Sequence, residues 1–273
     1  MMITREPIFE QPPQNGWEAI GQKALLTIGS VGFAVSMVIQ AFAGLPALTK
    51  SRHGRLDLMR QLFVIGIKSL AVITVVGLFT GMILGLQVGL ELRRFNKEIY
   101  IGSAVMVSML REMGPFMTGL ILAACVGSSM AAQIGTMTVN DEVAALETMS
   151  INPIRFLMTP RLMAMLMMMP LLSFYTCVLG VIGGGLVGHV QLNVSWDQYI
   201  AMAMDSARIR DLYVGLLKSF VFAIVITGVS CYEGFITKQG AVGVGQATRK
   251  SVITCFLLIL ILGYIITRLF YDL

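Results

Sequence analysis

SLAVITVVGLFTGMILGLQVGL, residues 69–90, runs for 22 positions without one charged side chain. A helix rises about 1.5 Å per residue, so such a run is long enough to cross a hydrocarbon core of about 30 Å. Its glycines Gly77, Gly81, Gly85 and Gly89 recur every fourth position and lie on one helix face. In lipid, helices gain little by hiding apolar surface from one another. They associate where small residues let backbones approach closely. The same spacing returns at Ala123, Gly127, Ala131 and Gly135, and at Gly180, Gly184 and Gly188. Packing alone explains such stripes; a functional reading is that smooth faces can slide, as a transporter requires.

Working outward, five further apolar stretches occur: Ala24–Leu48, Ile99–Ala132, Leu162–Val187, Leu212–Cys231 and Val252–Phe270. Hydrophobic residues make up 56% of the chain and charged residues 13%, against about 25% charged in soluble domains. Mean hydropathy is +0.80. An all-α integral membrane protein with no separate soluble domain follows. The net charge of +5 does not point to nucleic acid, because lysines and arginines cluster at the ends of apolar runs, where lipid headgroups lie. Met1 to Gly16 is polar and reads as a short cytoplasmic lead. The first stretch is ambiguous: with Trp17 and Lys23 before it and Lys50, Arg52 and Arg55 after it, Ala24–Leu48 suits a span and an interfacial helix equally. Cys125, Cys177, Cys231 and Cys255 form no CxxC pair and read as small buried hydrophobes. Met158, Met163, Met165, Met167, Met168 and Met169 read as adaptable apolar filling.

The densest basic cluster is Lys50, Arg52, Arg55, Arg60 and Lys68, which the positive-inside rule places in the cytoplasm. Links 133–161 and 232–251 then lie inside, and links 91–98 and 188–211 outside. Arg93, Arg94 and Lys97 conflict with this, although Glu91 and Glu98 offset them in part. In the first inner link, Thr138 three residues before Asp141 resembles a capping box. Val143, Leu146 and Met149 then recur on one side of a short acidic helix that ends at Asn152-Pro153. Thr159-Pro160 reads as cap and first residue of the next span. Ser195 and Gln198 form a capping pattern for a short outer helix from Trp196.

Arg111 and Glu112 are the sharpest feature. They lie about 18 Å along a helix from Ile99, where charges cost several kcal/mol unless paired or facing water. Adjacent residues point about 100° apart on a helix, so each needs a partner elsewhere. Gly114-Pro115 follows, and proline removes a backbone donor. A polar cavity wall is one reading, a structural salt bridge to another helix the other. Gln87 reads as interhelical glue. There is no HExxH, no Ser/His/Asp context and no GxxxxGK[ST] phosphate loop. No catalytic residue, metal ligand or cofactor is expected in this chain, and any ATPase must be a separate subunit.

GLFTGMILGLQ (77–87), LREMGPFMTGLILAACVGSSMAAQIGTM (110–137) and ETMSINPIRFLMTPR (147–161) resemble the MlaE (YrbE-type) permeases, membrane subunits of lipid ABC transporters that work with MCE proteins. The likeness continues through LLKSFVFAIVITGVSCYEGF (216–235) and GAVGVGQATRKSVI (240–253). It implies a single permease domain over 1–273: a lead and interfacial helix over 1–60, then five transmembrane helices over 61–273 with a short cytoplasmic coupling helix and a short periplasmic helix. It implies a homodimer, ATP bound by ABC ATPase subunits, a periplasmic MCE-domain protein, a small STAS-type cytoplasmic protein and a bacterial inner membrane. The coupling helix falls on Thr138 to Met149, with Thr138, Asp141, Glu142, Leu146 and Glu147 facing the ATPase. The lipid pocket, taking phospholipid first, falls on Leu84, Gln87, Glu91, Leu92 and Phe95, with Arg111, Glu112 and Met113 beside them. Glu91 departs from the apolar residue expected there. The rival functions are a secondary transporter with Arg111 and Glu112 as an ion relay, and a non-transporting scaffold.

Overall fold

The computed structural model describes residues 16–50 and 52–271. The polar lead lies outside the described residues except for Gly16. Among the described residues nine helices follow in order: α1 Gly16–Ala43, α2 Leu45–Lys50, α3 Gly54–Arg94, α4 Glu98–Val139, α5 Glu142–Thr148, α6 Ile154–Leu192, α7 Trp196–Ser206, α8 Ile209–Phe235 and α9 Gly240–Tyr271. No strand occurs among the described residues. Five of the helices, α3, α4, α6, α8 and α9, are long and apolar enough to cross a membrane. Each overruns its apolar stretch at both ends, because polar flanks can continue a helix into the headgroup layer.

Three spans carry four π turns: Phe63–Ile67 in α3, Met109–Met113 and Ala123–Gly127 in α4, and Ile154–Met158 at the start of α6. A π turn adds one residue to the helix and frees carbonyls for other donors.

The glycine stripe of α3 packs within the chain against α6. Gly77, Gly81, Gly85 and Gly89 are all buried. A Cβ at Gly81 would run into the Gly180 carbonyl, and one at Gly85 would lie 2.9 Å from the Gly184 Cα. Two of the glycine stripes therefore oppose each other, backbone to backbone. In α4, a Cβ at Gly127 would meet the Ser230 hydroxyl at 2.8 Å, so that stripe packs on α8. The opposite face of α3, with Val75, Phe79, Ile83 and Leu90, is exposed.

The stretch 24–48 is broken at Gly44, between α1 and α2. Met37 and Ala41 of α1 join a buried cluster with Ile134, Val143, Ile154, Leu157 and Phe235. The Thr159 hydroxyl donates to the Ala41 carbonyl at 3.1 Å. These partners lie towards one end of the bundle, the basic end, in keeping with a helix lying along the interface there.

Local details correct three sequence expectations. Thr138 does not cap α5; its hydroxyl bonds the Ile134 and Gly234 carbonyls, and Asp141 opens α5 in a left-handed conformation with no side-chain cap. Met149 does not share the packed side with Val143, being 68% exposed. Thr159-Pro160 does not start α6. Asn152 does: its Oδ1 accepts from the Arg155 N–H at 3.2 Å, and Thr159 is buried against α1. The Ser195 cap on Gln198 is present as expected. Cys177, Cys231 and Cys255 are buried, but Cys125 is exposed. Met158, Met165 and Met169 fill core positions.

Candidate functional site

Residues Met109–Met113 leave α-helical geometry as a π turn, closed by the Gly114 N–H on the Met109 carbonyl. Pro115 follows with no N–H to give the preceding turn, so carbonyls upstream of it need other donors. The Arg111 carbonyl, four residues before Pro115, takes the Lys218 ammonium of α8 at 2.8 Å. The Cys177 thiol of α6 donates to the Met109 carbonyl at 3.3 Å. The helix break is thus repaired by side chains from two neighbouring spans.

The same turn aims Arg111 and Glu112 at different partners. Arg111 grips Asp211 of α8 with two parallel bonds, Nε to Oδ1 at 2.8 Å and an Nη to Oδ2 at 3.2 Å. Its guanidinium also lies over the Tyr271 ring, 4.5 Å from the centroid, while the Tyr271 hydroxyl donates to Asp211 Oδ1 at 2.6 Å. Glu112 Oε1 accepts from Lys218 at 2.6 Å and from the Thr267 hydroxyl of α9 at 2.5 Å. Asp211 and Lys218 are each 1% exposed. Two charged groups of opposite sign sit one helical step apart, each neutralised by α8 and each buttressed by α9. Such bidentate, charge-assisted contacts are strong, and in a lipid setting they make the buried charges tolerable.

The residues expected at the outer end of α3 divide into two groups. Leu84, Leu92 and Met113 pack on a buried cluster of Ile101, Val105, Met109, Leu192, Val194 and Tyr199. Gln87, Glu91 and Phe95 face outwards, Phe95 with 71% of its surface exposed. Gln87 therefore does not glue α3 to a neighbour within the chain. Glu91 pairs with Arg94, one turn on, at 3.3 Å. In α7, the Tyr199 hydroxyl donates to the Val181 carbonyl at 2.8 Å, and burial pushes its phenol pKa up, so it stays a donor. Tyr199 also lies against Gly184 and Gly185, holding α7 down on α6.

At the other end, α5 is anchored to the bundle through Val143. Val143 alone is fully buried; Asp141 and Glu142 are exposed, and Leu146 and Glu147 half-buried. Thr138 is tied instead to the end of α8.

Sequence reasoning singled out Arg111 and Glu112 but not Asp211, Lys218, Thr267 or Tyr271. Lys218 carried a usable signal: it is a lone ammonium inside an apolar stretch, the same signal that marked Arg111. Asp211 and Tyr271 sit at span ends, where polar residues are ordinary.

A family described as Permease MlaE matches residues 58–269. The chain is 42% identical, over 79% of its length, to a probable ABC transporter permease protein of Rickettsia typhi, covering 83% of that protein. It is 37% identical over 93% of its length to another of Rickettsia felis, covering 97% of it. It is 33% identical over 94% of its length to the intermembrane phospholipid transport system permease protein MlaE of Haemophilus influenzae, covering 98% of it.

Proposed function

The chain belongs to the MlaE permease family, and from that premise we propose that it is the membrane subunit that moves phospholipid between a bacterial inner membrane and a periplasmic MCE protein, powered by a separate ATPase. The observation that carries this reading is the continuity of α4. One helical rod, Glu98–Val139, holds the Arg111–Glu112 charges in its outer half and leads at its basic end into the exposed acidic helix α5. A push on α5 is therefore transmitted along α4 to the paired charges and to Met113, which packs with Leu84 and Leu92.

In this mechanism ATP binds to the partner subunit, whose closure is delivered through Asp141, Glu142, Leu146 and Glu147. Two permease copies face each other across the exposed side of α3. Leu84, Leu92 and Phe95 offer apolar surface to acyl chains, while Gln87 and Glu91 lie at headgroup depth. The ion pairs of Arg111 and Glu112 hold α4 to α8 and α9, so the outer pocket moves as a unit. A STAS-type protein is an accessory of the same assembly.

The test is co-purification. Asp141→Lys with Glu142→Lys leaves the buried Val143 in place but reverses the charge of the exposed start of α5. The double variant should lose its ATPase partner and its ATP-dependent lipid transfer in proteoliposomes. An unchanged permease-to-ATPase ratio would remove α5 from the coupling role.

A further inference from the structure

We infer that the chain holds a second lipid site, distinct from the outer pocket, which takes the phosphate headgroup of an anionic lipid at the basic end of the bundle. A cavity of about 610 Å³ lies there between α3, α4 and α6. Its size suits a headgroup with the start of its chains.

Its lining is unbalanced in charge. Arg60, Lys68 and Arg161 face a single carboxylate, Asp57. Among the described residues none of the three cations forms an ion pair. Arg161 is 7% exposed. One of its terminal nitrogens donates to the Leu157 carbonyl at 2.6 Å and the other to Gln133 Oε1 at 3.2 Å, both neutral acceptors. Among the described residues its Nε has no hydrogen-bond partner. A buried guanidinium with neutral partners and a donor to spare is costly unless an anion completes it. Elsewhere in the chain the rule is kept: Arg111 and Lys218 each have a carboxylate.

The lining also says which anion. Val72 and Met130 continue the cavity wall beyond Lys68, and Val72 is exposed on the lipid-facing side of α3. The mouth therefore reaches hydrocarbon as well as the headgroup layer. A free phosphate needs only the cations; a lipid uses both parts. Basic pockets between helices on the cytoplasmic side are suited to such headgroups.

The full chain, purified in mild detergent and stripped of lipid, is offered phosphatidylglycerol or phosphatidylcholine and weighed by native mass spectrometry. Phosphatidylglycerol should be retained preferentially. Arg60→Gln with Lys68→Gln, both at exposed positions and so compatible with folding, should weaken retention about 25-fold, roughly fivefold per cation. Arg93→Gln with Lys97→Gln, two exposed cations at the outer end, should leave it unchanged. Equal retention of the two lipids, or of phosphatidylglycerol by the Arg60/Lys68 variant and the parent, would overturn the site. So would loss caused by the outer-end variant, or binding of inorganic phosphate with no lipid retained.

Discussion

Lys218 donates from one ammonium to the Glu112 carboxylate, the Arg111 carbonyl and the Thr267 hydroxyl. Those acceptors use all three of its protons. Lys218→Met should therefore cost more than an ordinary buried truncation, because it strands a carboxylate and leaves a carbonyl beside Pro115 unpaired. A loss of about 3–5 kcal/mol is expected, read as a lower melting temperature in detergent. Adding Glu112→Gln should recover part of it by removing the unpaired charge; a double variant no better than the single would show that the ion pair is not what Lys218 supplies. Arg111→Lys keeps the charge but not the two-pronged geometry on Asp211, and should destabilise by about 1–2 kcal/mol. At this scale the sequence was half legible. An arginine and a glutamate within an apolar stretch announce themselves, since bare charge is not tolerated there. Their charged partners lie about a hundred residues away, both on α8, and nothing in local spacing indicates which acid or base a folded span will bring across.

At the scale of elements, the contact between α3 and α6 rests on absent side chains. Gly81 and Gly85 lie on Gly180 and Gly184, and Gly183 of α6 lies against the Leu78 carbonyl in return. Backbone cannot move aside as a flexible side chain can, so Gly81→Ala should already be damaging. The helices must separate, at a cost on the order of 1–3 kcal/mol or more. Gly29, Gly32 and Gly245 have open space around the missing Cβ, and alanine there should be neutral or slightly stabilising. Size-exclusion profiles and thermal stability of the single alanine variants compare the two sets directly; equal behaviour would mean that the stripes are incidental. The periodicity made the stripes visible in advance, but not that the first and third would meet face to face. Helix ends were harder still. Asn152 rather than Thr159 opens α6, because the π turn at Ile154–Met158 carries the helix one turn further back and buries Thr159 on α1. A cap pattern in sequence says where a helix can begin, and tertiary packing decides which of two candidates is used.

Across the whole molecule the charged features form layers along the bundle. Arg55, Arg60, Lys68, Arg155, Arg161, Lys238, Arg249 and Lys250 gather at the end that holds α5, and Glu233 pairs loosely with Lys250 there at 3.8 Å. The other end carries Arg93, Arg94 and Lys97, and also Arg208 and Arg210 beside Asp205 and Asp211. The positive-inside rule counts bases and gives acids little weight, so the outer end is more basic than the rule would like. Bases there are engaged, among them Arg94 with Glu91, Arg210 with the Phe270 carbonyl, and Arg111 just beneath with Asp211. At the inner end, Arg60, Lys68 and Arg161 form no ion pair among the described residues. An engaged base is less available to anionic lipid than a bare one, so the structure favours the inner end for the anionic cytoplasmic face. Single cysteines can decide it on a background with Cys125, the exposed native thiol, replaced by serine. Met149→Cys on α5 and Asn96→Cys in the α3–α4 link both lie at exposed positions. In intact cells an impermeant maleimide that reaches the periplasm should label Asn96→Cys and spare Met149→Cys until the inner membrane is opened. The reverse pattern would invert the bundle, put α5 out of reach of any cytoplasmic ATPase, and with it remove both the coupling role and the inner-end headgroup site.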